Sequence, residues 1–292
     1  MFHGTYTALV TPFRDGKVDE TALRALIREQ VAAGIDGIVP CGSTGESATM
    51  THAEHEKVIT VSIEEAAGRV KVIAGTGSNS TAEACRLTKF AADAGADGAL
   101  LISPYYNKPT QQGHVLHYRA IAEAVPLPLI VYNIPGRTGV NILPETVAQI
   151  AEIPGIVGIK EAAGSLDQVS RIVQLCGPKF TVLSGDDSLT LPMMAVGAHG
   201  VISVTSNLLP RRFSELVRAA AADDYATARR LHFELLPLMQ ALFTETNPIG
   251  IKTAMAFVKK IPTDELRMPL TPMTEPNRKR LEQVLRDLGP LS

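Results

Sequence analysis

Ala94-Gly95-Ala96-Asp97-Gly98 is a joint between two kinds of pattern: it closes the amphipathic stretch Thr81 to Ala94 and opens the apolar run Gly98 to Ile102. Glycine just past a periodic stretch is a common helix stop, because it enters the left-handed conformation at little steric cost. The same joint recurs as Ala33-Gly34-Ile35-Asp36-Gly37 and as Val196-Gly197-Ala198-His199-Gly200. A single helix-to-strand unit is used again and again.

Working outward from these joints, eight short apolar runs appear: Tyr6 to Val10, Gly37 to Pro40, Val70 to Ala74, Gly98 to Ile102, Leu129 to Tyr132, Ile156 to Lys160, Phe180 to Leu183 and Gly200 to Val204. Helical patterns separate them, at Thr21 to Ala33, His52 to Ala67, Thr81 to Ala94, Gln112 to Ala124, Pro144 to Ala151, Leu166 to Leu175 and Leu189 to Val196. Runs that are apolar at successive positions, rather than alternating, suit parallel strands covered on both faces. Eight such units predict an α/β fold, a (β/α)8 TIM barrel, in preference to an open doubly wound sheet. The open sheet would carry a dinucleotide fingerprint after its first strand, and Val10-Thr11-Pro12-Phe13 is not one.

From Pro210 the strands stop. Arg211 to Ala221 reads as the eighth barrel helix, followed by Tyr225 to Phe243, Pro248 to Lys259 and Pro276 to Leu288. The expected division is a catalytic barrel over residues 1–222 and a C-terminal helical extension over residues 223–292. That extension is expected against the barrel's outside or a neighbouring subunit.

The 292 residues are 45% hydrophobic and 20% charged, with 28 Lys+Arg against 30 Asp+Glu and a formal net charge of -2, the profile of a soluble globular protein. There is no Lys/Arg-rich run, so nucleic acid is not an expected partner. Nor is a membrane: no apolar run approaches the ~18 residues of a span, and Met1 to Thr5 shows no basic-then-apolar leader, so a cytoplasmic location is expected. Cys41, Cys85 and Cys176 lie far apart and are odd in number, which argues for reduced thiols rather than disulfides or a metal set. Cys41, beside a glycine-rich loop, reads either as a nucleophile or as a small buried hydrophobe.

In barrels the chemistry sits at the carboxyl ends of the strands. The second run is followed by Cys41-Gly42-Ser43-Thr44-Gly45-Glu46-Ser47, whose glycines permit close approach and whose hydroxyls can donate to a carboxylate; a turn with a helix cap reads equally well. Three lysines are embedded in apolar sequence. Lys71 starts its run and belongs to the stability face, Lys252 lies in a helical pattern where a solvated or snorkelling side chain is expected, and Lys160 ends the sixth run on the active face. Burial lowers an amine's pKa, which an imine-forming lysine requires; the other reading is an ion pair with Glu161, although consecutive strand residues point to opposite faces.

The fifth run ends Tyr132-Asn133-Ile134-Pro135-Gly136-Arg137-Thr138-Gly139, with a phenol able to relay protons and an arginine able to fork a carboxylate. The fourth ends Ser103-Pro104-Tyr105-Tyr106-Asn107-Lys108-Pro109, which would place two more phenols on the same face. Asp186 and Asp187 read as caps for the next helix rather than Mg2+ ligands, since no third ligand joins them. His52 and His55, three apart, are too few for a metal site. His114 and His117 are expected to face solvent.

Gly42-Ser43-Thr44-Gly45-Glu46, Tyr105-Tyr106-Asn107-Lys108-Pro109, Tyr132 to Gly139 and Gly158-Ile159-Lys160-Glu161-Ala162 together resemble the signature segments of the dihydrodipicolinate synthases. That family belongs to the pyruvate-dependent class I aldolases, which also include the N-acetylneuraminate lyases. The resemblance extends to Asn247-Pro248-Ile249 and Leu270-Thr271-Pro272, and so spans essentially the whole chain; Ser43 stands where many members carry a second threonine.

The resemblance implies that Lys160 forms a Schiff base with pyruvate and that the derived enamine adds to L-aspartate 4-semialdehyde, with no metal and no external cofactor. It further implies that Ser43 and Thr44 receive the pyruvate carboxylate, that Gly185 and Ile202 line the pocket through their backbones, and that Tyr132 relays protons through Thr44 to Tyr106 of a neighbouring subunit. Arg137 would take the carboxylate of the second substrate. A homo-oligomer, a tetramer, is therefore expected. L-lysine is expected as an inhibitor at Ser47, Ala48, His52, His55, Asn79, Glu83 and Tyr105. A related 2-keto acid aldolase or hydratase, or a barrel that only binds a keto acid, are the competing readings.

Overall fold

The computed structural model describes residues 2–289, and its centre is a closed barrel of eight parallel strands. In chain order the barrel strands are β1 (Gly4–Ala8), β4 (Gly37–Val39), β5 (Lys71–Gly75), β6 (Gly98–Ile102), β7 (Leu129–Asn133), β8 (Ile156–Glu161), β9 (Thr181–Ser184) and β10 (Gly200–Ser203). A two-stranded ribbon, β2 (Phe13–Arg14) with β3 (Lys17–Val18), lies between the first two. The predicted (β/α)8 architecture is the observed one. Closure is made by β1, which pairs with β10 through Gly4 and Gly200 on one side and with β4 through Tyr6 and Gly37 on the other. This pairing draws the first strand two residues earlier than its apolar run.

The connecting helices are α1 (Glu20–Ala32), α2 (His52–Ala66), α3 (Thr81–Ala94), α4 (Gln111–Ala124), the single turn α5 (Pro135–Thr138), α6 (Pro144–Ala151), α7 (Leu166–Cys176), α8 (Thr190–Ala195) and α9 (Pro210–Ala221). Their starts are set locally. Thr51 and Glu54 form a reciprocal capping box at α2, and the side chains of Asp19, Ser80, Thr110 and Ser165 accept backbone N–H groups at α1, α3, α4 and α7.

The repeated joint acquires a physical meaning in the sheet. Gly34, Gly95 and Gly197 all have positive φ, turning the chain from helix to strand. Two residues on, the Asp36 carboxylate accepts the Thr5 N–H at 2.8 Å, Asp97 accepts that of Val72 at 2.9 Å, and the Nδ1 of His199 accepts that of Val182 at 3.1 Å. In each case the backbone N–H of the joint residue donates back to the carbonyl of the same partner. The polar residue of the joint thus replaces the missing ladder partner at the start of the neighbouring strand. These groups satisfy the barrel's lower rim and take no part in the upper one.

Two side-chain expectations are corrected. His114 and His117 are buried, because α4 turns the face carrying Val115, Tyr118 and Ile121 into the core and the histidines share it; burial holds both pKa values down, that of His117 to about 4. Lys252 is fully buried rather than solvated. It lies on α11 (Ile249–Phe257), which with α10 (Tyr225–Ala241) and α12 (Glu275–Asp287) forms the C-terminal region. That region does more than pack outside the barrel. Its connections return to the barrel mouth, where Asn247, Pro248, Pro269 and Leu270 line a cavity.

Candidate active site

Lys160 and Tyr132 face each other in register on β8 and β7, so their side chains leave the sheet on the same side. The amine of Lys160 stands 4.3 Å from the centre of the Tyr132 ring. Both side chains are buried. Burial is the main reason that the Lys160 pKa falls to about 7; Arg137 pushes it the same way, and the carboxylate of Asp187 opposes. Whereas Lys71 pairs with Asp97 and Lys252 with Glu46, no carboxylate lies within ion-pair distance of Lys160 among the described residues. Adjacent Glu161 points away, accepting from Asn133, Gln168 and the Ala163 N–H.

Space around the lysine is kept by Gly185, at the end of β9. A Cβ there would sit 2.7 Å from the Cβ of Ala162 and 3.0 Å from the Cε of Lys160. Ile202, on β10, is buried and follows Val201, which pairs with Ser184 just before Gly185.

Burial pushes the Tyr132 phenol up to about 12, with Arg137 and the neighbouring Ser43 side chain working against it. Thr44 takes a different partner: its Oγ1 accepts from Nδ2 of Asn247 at 2.9 Å. Having accepted, the Thr44 hydroxyl still has its own proton to donate. Asn247 also receives Arg137, whose Nη2 donates to its carbonyl at 2.8 Å, leaving further N–H groups of an exposed guanidinium unused.

Tyr105 lines the same cavity as Tyr132, whereas Tyr106 is outside it, 88% exposed with a φ of 70°. Asp186 is the expected cap, accepting from the Ser188 N–H, but Asp187 is not one. Its Oδ2 accepts from Val204 N–H and from the N–H and hydroxyl of Thr205, fixing the end of β10 beside Lys160. Asp187 and Asn247 are the two site residues that sequence reasoning left out; Asn247 lay within a segment already noted for its resemblance. Cys41 is buried, its thiol pushed up by burial and turned toward the His55 carbonyl, which favours the small-hydrophobe reading.

A cavity of about 440 Å3 opens from Ser43, Tyr132, Arg137 and Asn247 and runs on to Ser47, Ala48, His52, His55, Glu83 and Tyr105. At its far end Nε2 of His52 lies 2.7 Å from Glu83, His55 is bonded to the Gly75 carbonyl, and Asn79 donates to the Tyr105 carbonyl. No cluster of three or more His, Cys, Asp or Glu among the described residues is arranged for a metal ion.

A model of the dihydrodipicolinate synthetase family matches residues 1–288. The chain is 56% identical over 289 residues to the 4-hydroxy-tetrahydrodipicolinate synthase of Nitratidesulfovibrio vulgaris, covering 99% of both chains. Among solved structures, it superposes on the chloride-inhibited dihydrodipicolinate synthase of Acinetobacter baumannii complexed with pyruvate, with a TM-score of 0.97, 46% identity and 99% of each chain covered. The lysine-bound enzyme of Cyanidioschyzon merolae gives a TM-score of 0.95 at 42% identity, covering 99% of this chain and 98% of that one.

The lowered pKa makes a direct prediction. Acetic anhydride acylates only neutral amines and is not itself ionised, so its rate at Lys160, read by peptide mass mapping against an added standard amine, should be half-maximal near pH 7 and level above it. A rate still climbing beyond pH 9, as at an ordinary lysine, would show that the amine remains charged at neutral pH.

Proposed function

Because the chain belongs to the dihydrodipicolinate synthetase family, we propose that it condenses pyruvate with L-aspartate 4-semialdehyde to 4-hydroxy-tetrahydrodipicolinate, a lyase-class step of lysine and diaminopimelate biosynthesis. The observation that carries the reading is the buried, unpaired amine of Lys160 with its pKa near neutrality. A neutral amine has the lone pair that attacks a ketone. Addition of Lys160 to pyruvate, with loss of water, gives an imine; loss of a methyl proton gives an enamine. The enamine carbon adds to the aldehyde of the second substrate. The amine of that substrate then displaces Lys160 as the ring closes, and the enzyme is regenerated.

In this reading Ser43 and Thr44 hold the pyruvate carboxylate, with Gly185 and Ile202 shaping the pocket around the reacting carbon. Tyr132 moves protons to and from the imine and the alkoxide. Arg137 takes the carboxylate of L-aspartate 4-semialdehyde, supported by its exposure at the cavity and its spare N–H groups. The enzyme acts in the cytoplasm as a homotetramer, in which the outward Tyr106 completes a partner's proton relay. L-lysine binds at the far end of the cavity: Glu83 meets its α-ammonium, Asn79 and Tyr105 its carboxylate, and His52 and His55 with the Ser47–Ala48 backbone its side-chain amine. The lysine-bound relative supports this assignment.

Three tests follow from these roles. Borohydride added with pyruvate should leave one reduced pyruvyl group on Lys160, and Lys160→Ala should lose both adduct and activity by several orders of magnitude; active protein without adduct would sink the mechanism. Arg137→Ala should raise KM for L-aspartate 4-semialdehyde at least ten-fold and that for pyruvate far less, the loss expected of a charge-assisted fork worth roughly 1.5–3 kcal/mol. Light scattering should give the mass of four chains, and calorimetry should show L-lysine bound at millimolar concentration by the parent but not by Glu83→Ala. A fully active monomer, or inhibition indifferent to Glu83, would contradict these assignments.

A further inference from the structure

The mechanism leaves unused one fully buried ion pair, Lys252 with Glu46, at 2.6 Å. Glu46 closes the Gly42 to Glu46 turn and holds a left-handed φ of 56°, while Cys41 opens the turn at 57°. Non-glycine residues pay steric strain there, of order 1–3 kcal/mol each, and keep that shape only where the surroundings dictate it. What dictates it at Glu46 is the C-terminal region: Oε1 accepts from Lys252, and Oε2 accepts from the Arg267 N–H at 3.1 Å. Lys252 is itself pinned by donating to the Glu265 carbonyl at 2.6 Å and by the Phe13 ring, 4.3 Å from its nitrogen. From Glu46 the constraint passes inward, since its N–H donates to the Ser43 carbonyl at 3.2 Å and the Gly45 N–H donates to that of Gly42 at 3.0 Å.

A buried ion pair is a weak device for stability, because apolar residues of equal volume commonly serve as well, and its best-attested use is to fix one arrangement among several. We infer that Lys252 is a positioning residue: paired with Glu46, it holds the Ser43–Thr44 turn in the shape that receives the pyruvate carboxylate. The inference rests on the proposed placement of that carboxylate. Lys252 touches neither substrate; it acts only through Glu46.

The test separates shape from stability by using Glu46→Gln, Lys252→Met and the double variant. Each single change leaves a buried group without its partner and should lower the melting temperature, whereas the double variant should recover most of the loss. Its KM for pyruvate should nonetheless stay at least ten-fold above the parent's, with KM for L-aspartate 4-semialdehyde within two-fold and the borohydride adduct still forming at saturating pyruvate. A pyruvate KM that recovers together with the melting temperature would overturn the inference, leaving the pair a purely structural one. Should Lys252→Met fail to fold, Glu46→Gln decides alone: a raised pyruvate KM supports the role and an unchanged one refutes it. Thr44→Val, measured in parallel, isolates the underlying reading. If it raises the pyruvate KM and the double variant does not, only the role of Lys252 falls; if it leaves that KM unchanged, the carboxylate placement fails and the inference with it.

Discussion

Everything at the barrel mouth is arranged around the burial of one amine. Charge on Lys160 is disfavoured because water is excluded by Tyr132 and by the sheet around it, and no carboxylate among the described residues lies within ion-pair distance. Glu161 is turned to the opposite face of β8 by strand geometry, and Asp187 spends one oxygen on three donors from Val204 and Thr205. An adjacent free carboxylate would favour the ammonium and raise the pKa again. Asp187 is close enough to moderate the shift without cancelling it.

The neighbouring phenol obeys the same logic with the opposite sign. Burial favours its neutral form, so Tyr132 keeps its proton near neutrality, while Arg137 and Ser43 favour the phenolate and draw its pKa back. An amine made less basic and a phenol held as an acid are complementary partners for proton transfer.

How much of this the sequence disclosed depended on whether a signal was local. Strand runs, helix caps and the glycine joints are local, and the eight-fold unit was legible from them. Lys160 could be told from Lys71 because its place at the end of a strand fixes where it points. Lys252 could not: a lysine on a helix is ordinarily solvated, and its partner Glu46 lies 206 residues away. His114 and His117 were misplaced because their spacing marks a shared face but not which way that face turns. The partners of Thr44 and Asp187 likewise come from segments distant in sequence that meet only in the folded chain. Asp36, Asp97 and His199, by contrast, occupy equivalent positions in a repeat that was visible from the outset, yet their shared task of completing the sheet's lower hydrogen bonds appears only once the strands are paired.

Three of the contacts at the mouth come from beyond the last barrel helix: Asn247 to Thr44, Lys252 to Glu46 and Arg267 to the Glu46 carboxylate. The seam between the barrel and the helices that follow it is consequently not a line along which the working parts divide. A chain cut after α9 would retain every strand and Lys160, yet the turn at Ser43 and Thr44 would lose the contacts of Asn247, Lys252 and Arg267 and keep only its own internal hydrogen bonds. In grafting or recombination, the indivisible module is thus the barrel together with its tail.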